Sequence, residues 1–152
     1  MKKDELEYLR KNQKRTPLVI ANQLSKVFED LMIKKVENPI LKEKTARISL
    51  IYLSYKNGVT QQELVRVTQM KASTVSNAIR KMETQGLVTK EENEHDMRSV
   101  KIYITSEGRK LALKTEKTLK EIEKKIMSGI APKDVSVARY VMEKMIDNLI
   151  SK

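Results

Sequence analysis

Between Ser73 and Arg80 the chain reads STVSNAIR, and the side chains that can do chemistry there are hydroxyls, a carboxamide and a guanidinium. On a helix, Ser73, Thr74, Ser76, Asn77, Arg80 and Lys81 share the outer side, while Val75, Ala78, Ile79 and Met82 form the apolar face opposite. The chemistry on offer is recognition, not bond making. Hydroxyls meet phosphates or base edges, Asn77 matches an adenine edge, and Arg80 or Lys81 reaches guanine or phosphate. A major groove about 12 Å wide admits one helix of this design. An ordinary solvent-exposed helix would show the same two faces, so the segment needs support from its surroundings.

A second group lies further on. Residues 87–90 and 99–104 alternate at period two and read as antiparallel strands, with Val100, Ile102 and Ile104 on the covered face. Residues 91–98 form the loop between them. A loop beside a reading helix can carry an arginine into the minor groove, where negative potential is strong, and Arg98 is the candidate. Asp96 would orient its fork through a carboxylate–guanidinium pair. The plainer reading of Asp-x-Arg is a surface ion pair of little worth. Glu91, Glu92 and Glu94 in the same loop oppose phosphate, and His95 reads as a solvated loop residue.

The elements that must position these groups are announced by their ends. Thr16-Pro17 supplies a capping hydroxyl and a proline at the first helical position. The helix it opens carries Ile20, Leu24, Val27, Phe28, Leu31, Met32 and Val36 at threes and fours, and Asn38-Pro39 ends it. A helix over 44–56 is apolar around much of its circumference, and Asn57-Gly58 stops it. Thr60-Gln61-Gln62-Glu63 matches a capping box, in which hydroxyl and carboxylate satisfy each other's backbone N–H. It opens a short helix through about 67. After a tight turn comes the helix over 72–85, closed by Gly86. Thr105 can cap a helix over 106–127, and Gly129 with Pro132 separates it from a last helix bearing Val135, Ala138, Val141, Met142, Met145, Ile146 and Leu149.

Composition narrows the class. With 152 residues the chain suits one domain, and 39% hydrophobic with 34% charged residues fits a folded, charge-rich protein. The absence of cysteine excludes disulfides, thiolate metal sites and thiol chemistry, and His95 as sole histidine excludes a multi-histidine zinc site. No cofactor or metal is expected. No nucleophile elbow or phosphate-cradling glycine loop occurs, so an enzyme is not expected either. The N-terminal segment lacks the apolar core of a signal peptide, and no run approaches the roughly 18 apolar residues of a membrane span, which points to the cytoplasm.

The net charge of +11 suits a polyanionic partner. Residues 1–59 hold 13 basic against 7 acidic side chains, residues 60–110 hold 9 against 7, and residues 111–152 hold 9 against 6. The reading segment is therefore not the most basic part, and much nonspecific attraction must come from the flanking helices.

The order of elements resembles the MarR family of bacterial winged helix-turn-helix regulators. The resemblance rests on Thr60–Glu63, on Ser73-Thr74-Val75-Ser76 leading to Met82-Glu83 and Gly86-Leu87-Val88, and on Asp96-x-Arg98 followed by Ile104-Thr105-x-x-Gly108. It implies a mainly α fold with a small two-stranded β-wing, built as one domain over 1–152. The winged helix-turn-helix would cover 42–105, and dimerisation helices would cover 16–38 and 106–152. It also implies a homodimer on a palindromic operator of double-stranded DNA, acting as a repressor. Ser73, Thr74, Ser76, Asn77 and Arg80 match the family's base- and phosphate-contacting positions, and Arg98 matches the wing arginine. Lys71 departs from the family's capping Asp or Ser, and Met97 from a second wing arginine. Many similar proteins take a small apolar or aromatic effector in a crevice, which Phe28, Met32, Tyr52 and Tyr55 would line here, although such residues at helical spacing are more often core. The residues alone agree on dimerisation, because the terminal helices bear more apolar stripe than a small winged domain covers. Two other readings remain open: an effector-independent or architectural DNA-binding protein, and a winged domain used for protein contacts.

Overall fold

The computed structural model describes residues 3–12, 15–93 and 96–150, with side chains except those of residues 6, 12 and 92–99. The chain divides into two compact units, Met1–Lys120 and Glu121–Lys152. The first contains α1 (Lys3–Asn12), α2 (Pro17–Lys35), a 3-10 turn (Ile40–Lys42), α3 (Lys44–Tyr55), β1 (Val59–Thr60), α4 (Gln61–Thr68), α5 (Ala72–Thr84), β2 (Val88–Asn93), β3 (Asp96–Ile104) and the start of α6 (Ser106–Ile126). The end of α6 and α7 (Pro132–Ile150) make up the second.

The caps act where the sequence places them. Thr16 Oγ1 accepts from the Val19 amide at 3.4 Å with Pro17 at the first helical position. Asn38 Oδ1 accepts from the Ile40 amide at 2.9 Å, so Asn-Pro both follows α2 and opens the 3-10 turn. Thr60 Oγ1 accepts from the Glu63 amide at 3.2 Å, but the return half of the capping box is diverted. Glu63 Oε1 instead takes the Tyr52 hydroxyl and the Lys56 ammonium, each at 2.6 Å. A cation and a phenol are stronger donors to a carboxylate than a backbone amide is. Gly86, at φ 67°, ends α5 in a Schellman pattern, with its amide on Glu83 O and that of Leu87 on Met82 O, both at 2.9 Å.

The three-helix core of the first unit encloses Leu50 and Leu53 of α3, Leu64 of α4 and Ile79 and Met82 of α5, all at most 1% exposed. Full burial of each such side chain stabilises the fold by about 1.5–3 kcal/mol. Ile102 of β3 is equally enclosed, which fixes which face of the sheet meets the helices.

The sheet departs from expectation in three ways. It has three strands in the order β1-β3-β2, all antiparallel, because Val59 and Thr60 pair with Ile102 and Lys101. Two residues carry no period-two signal, so β1 is invisible until its partner is known. Second, β2 and β3 run on through most of the expected loop, so that Asp96 and Arg98 lie on β3 and only residues 94–95 lie between the strands. Glu91 sits opposite Lys101 in this ladder, and a cross-strand pair of opposite charges favours the extension. Third, Val100 is 43% exposed while Ile102 and Ile104 are buried. Along β3 the two residues of β1 reach no further toward its start than Lys101, so Val100 lies past the end of the shorter strand.

The junction between the sheet and α6 is tight. The Thr105 amide donates to Leu87 O at 3.1 Å, and its hydroxyl donates to Gly86 O at 2.7 Å while accepting from the Gly108 amide at 3.0 Å. A Cβ on Gly108 would stand 2.1 Å from Leu87 O. Asn57 Oδ1 holds the Ile104 amide at 2.8 Å from the other side. In the second unit, Gly129 at φ 78° makes the turn into α7. Val137, Tyr140, Val141, Met142, Ile146 and Leu149 of α7 are exposed, and none of its residues is buried. Among the described residues no helix is long and apolar enough to cross a membrane.

Candidate nucleic-acid interface

α5 is held by its apolar face. Val75, Ala78, Ile79 and Met82 are at most 1% exposed, and the period of the helix then forces Ser73, Thr74, Ser76, Asn77 and Arg80 outward, where all five are exposed. One guanidinium nitrogen of Arg80 donates to Asn77 Oδ1 at 2.9 Å. That pair leaves the Asn77 amide donors and the other guanidinium N–H groups available. Lys71 occupies the N-cap position without a side-chain cap bond to the amides of the first turn. Ahead of it Gln69 is left-handed at φ 55°, the single such non-glycine residue among those described, and it makes the turn between α4 and α5.

Lys81 is differently placed from its neighbours. Its ammonium lies 2.5 Å from Glu43 Oε1, a residue 38 positions earlier, and both side chains are partly exposed. Of the expected contact residues on α5 it is the one already engaged by a carboxylate. Arg98 and Asp96 lie on β3, and the contacts of their side chains fall outside the described residues, as do Glu94 and His95 altogether.

The residues named for an effector crevice have separate commitments. Met32 is fully enclosed, the Tyr52 hydroxyl is bonded to Glu63 of α4, and the Tyr55 hydroxyl is bonded to Glu116 of α6. These bonds form two tyrosine–glutamate–lysine groups, completed by Lys56 and Lys120. Lys56 in the first place, then Tyr52, holds the Glu63 carboxyl below its usual range, and Lys120 followed by Tyr55 does the same for Glu116. The carboxylates in turn push both phenols up, and Glu63 raises Lys56. A hollow of about 20 Å³ lined by Val36, Asn38, Leu111 and Thr115, among others, has room for a water molecule but not for an aromatic ring.

Sequence reasoning missed two groups. Arg47, 4% exposed within α3, places one guanidinium nitrogen 2.5 Å from Glu29 Oε2 and another 3.1 Å from Leu41 O and 3.4 Å from Lys42 O. A lone arginine among the apolar positions of α3 was the available signal. Glu43 as the partner of Lys81 left none. Among the described residues no cluster of three or more His, Asp or Glu side chains is placed to hold a metal.

The family model of the MarR family matches residues 48–99, which run from α3 through α4 and α5 into β3. The resemblance carried by Thr60–Glu63 and by the Ser73–Val88 stretch is thereby borne out. The HTH-type transcriptional regulator Hpr of Halalkalibacterium halodurans is 29% identical over 84 residues, 55% of this chain and 44% of that relative, so the match spans less than half of the relative's length. A Staphylococcus aureus MepR–DNA complex superposes with a TM-score of 0.80 at 22% identity, over 89% of this chain and 99% of that one. A MarR family regulator from Listeria monocytogenes in complex with a 26mer DNA superposes with a TM-score of 0.77 at 17% identity, over 90% of each chain. The MarR-type winged helix-turn-helix, mainly α with a small antiparallel sheet, is the fold of this protein.

Proposed function

We propose that this chain is a DNA-binding transcriptional regulator that reads a palindromic operator as a homodimer, with α5 in the major groove and the β2–β3 ribbon beside it. The observation that carries the reading is the exposed row Ser73, Thr74, Ser76, Asn77 and Arg80 on a helix whose opposite face is locked into the core. Such a row meets phosphates through its hydroxyls and base edges through the Asn77–Arg80 pair. The net charge of +11 and the likeness of the fold to two proteins solved with DNA support it. Arg98 on β3 is the wing residue for the minor groove, and Asp96 its orienting partner. Lys81 contributes less, because Glu43 already offsets its charge.

Dimerisation is supported by apolar side chains left exposed on both terminal helices. Leu18, Ile20 and Leu24 of α2 are 43–59% exposed, and the α7 row from Val137 to Leu149 is exposed as well. A second copy of the chain covers such stripes. Repression, release by a small apolar or aromatic effector and a cytoplasmic setting belong to the same reading, and no effector is assigned.

Selection of bound fragments from genomic DNA, followed by footprinting, tests it. A palindrome with half-sites about 34–36 Å apart is expected for dimeric major-groove reading. Specific binding should exceed binding to random duplex by at least ~10³ at moderate salt. Equal affinity for all duplexes would favour an architectural protein, and no affinity for any duplex would favour a winged domain used for protein contacts. A stable monomer in equilibrium sedimentation at micromolar concentration would refute the dimer.

A further inference from the structure

We infer that Lys42 and Lys44 form a second DNA-backbone contact, a phosphate-binding strip on the turn that leads into α3, alongside the reading helix. The inference rests on the regulator reading above and adds to it residues outside the helix-turn-helix and the wing.

Two bonds set this turn against α5. The Lys81 ammonium meets Glu43 at 2.5 Å, and the Asn38 amide donates to Gln85 Oε1 at 3.2 Å. Lys81 lies one turn from Asn77 on α5, so Glu43 stands at the edge of the exposed polar row. Lys42 and Lys44 flank Glu43 in sequence, and both are exposed. Among the described residues no carboxylate pairs with either of them. Glu43, the acidic group that would repel a phosphate here, is offset by Lys81. The arrangement therefore leaves two lysines free and neutralises the carboxylate between them.

The turn is also fixed from behind. The buried Arg47 donates to the carbonyls of Leu41 and Lys42 at 3.1 and 3.4 Å, Glu29 holds the far side of that guanidinium at 2.5 Å, and the Asn38 side chain caps the first amide of the turn. Such a mount reduces the ordering that binding must supply. A helix with side chains is about 10–12 Å across and the major groove about 12 Å wide, so a segment packed on the flank of a groove-seated helix lies over the bordering phosphates. A lysine side chain reaches phosphate as a point charge without reading sequence. Lys42 and Lys44 are two of the 13 basic residues that precede residue 60.

The test compares the full chain with Lys42→Ala/Lys44→Ala, measuring affinity for an operator duplex and a random duplex of equal length between about 50 and 200 mM salt. Each phosphate contact contributes about 0.9 to the slope of log affinity against log salt, so the double variant should lose about 1.8 on either duplex, with its preference for operator unchanged. Lys42→Arg/Lys44→Arg should retain the parental slope. An unchanged slope in the alanine variant would overturn the inference. So would an equal loss from Lys133→Ala/Lys144→Ala, which removes the same charge from α7 and would make overall charge the cause. A parent that binds both duplexes alike would overturn the regulator reading alone, because the lysine contribution is read on either duplex.

Discussion

Gly108→Ala tests whether the reading head depends on the close approach of α6 to the sheet. The added Cβ would stand 2.1 Å from Leu87 O and 3.0 Å from an Ile104 side-chain carbon. A backbone oxygen cannot rotate away as a side-chain tip can, so the first turn of α6 must withdraw by about 1 Å to restore ordinary contact. Withdrawal stretches the bonds of Thr105 to Leu87 O and Gly86 O, now 3.1 and 2.7 Å. Two such bonds are worth about 1 kcal/mol each, and overpacking adds about 1–3 kcal/mol. Alanine recovers about 1 kcal/mol of helix propensity, which leaves a net cost of about 2–4 kcal/mol. For a chain of this length that lowers Tm by roughly 5–15 °C. Urea unfolding followed by circular dichroism measures the cost. A variant as stable as the parent, or more so, would refute the reasoning, since propensity alone would then decide the site.

Arg80→Ala removes the guanidinium that Asn77 holds, and should weaken operator binding by about 1–3 kcal/mol, or about fivefold to about 150-fold, with a smaller effect on random duplex, as fluorescence anisotropy would show. Equal losses on both duplexes would make Arg80 a phosphate contact. Arg47→Ala strands Glu29 and frees two carbonyls of the 3-10 turn, and should cost about 2–4 kcal/mol in urea unfolding, below the full penalty of a buried pair because the Glu29 side chain is 24% exposed. A cost under about 1 kcal/mol would mean that the turn holds its shape without the arginine. The depressed carboxyls of Glu63 and Glu116 give stability that is present above their ordinary value of 4.5 and lost as pH falls through their lower folded values. The stability difference between the parent and Glu63→Gln/Glu116→Gln, measured from about pH 7 down to about pH 3, should therefore shrink in acid; a constant difference would mean that the carboxylates titrate normally. At the alkaline end the raised Lys56, Tyr52 and Tyr55 give stability that is present below 10.5 for the lysine and 10.0 for the phenols, and is lost above.

What could be read in the sequence is what neighbouring residues decide among themselves. Thr16, Thr60 and Thr105 cap amides three residues onward, and Gly86 supplies the positive φ that closes α5, so the ends of the helices were legible from chemistry of short range. The polar face of α5 was legible for the same reason, since one apolar stripe at helical period dictates what faces out. β1 was not legible, because two residues become a strand only through Ile102 and Lys101, more than forty positions away. The length of β2 and β3 was not legible either. A run of charges reads as loop until Glu91 is seen opposite Lys101.

The candidate site divides along the same line. Residue type says that Arg80 and Lys81 are both cations on one face, and nothing local separates them. Tertiary structure does, by bringing Glu43 to Lys81 and offsetting its charge, while Arg80 keeps to the neutral Asn77 of its own helix. The charge so withdrawn from α5 is replaced nearby by Lys42 and Lys44, which carry no motif and lie outside the segment that patterning marks as the reading head. Glu63 makes the same point within a motif: its spacing to Thr60 promises a capping carboxylate, while Tyr52 of the preceding helix and Lys56 just after that helix claim it. Whether a charged side chain is available to a partner depends on which other charge the fold brings within about 4 Å, and sequence spacing reports that only when both belong to one helix.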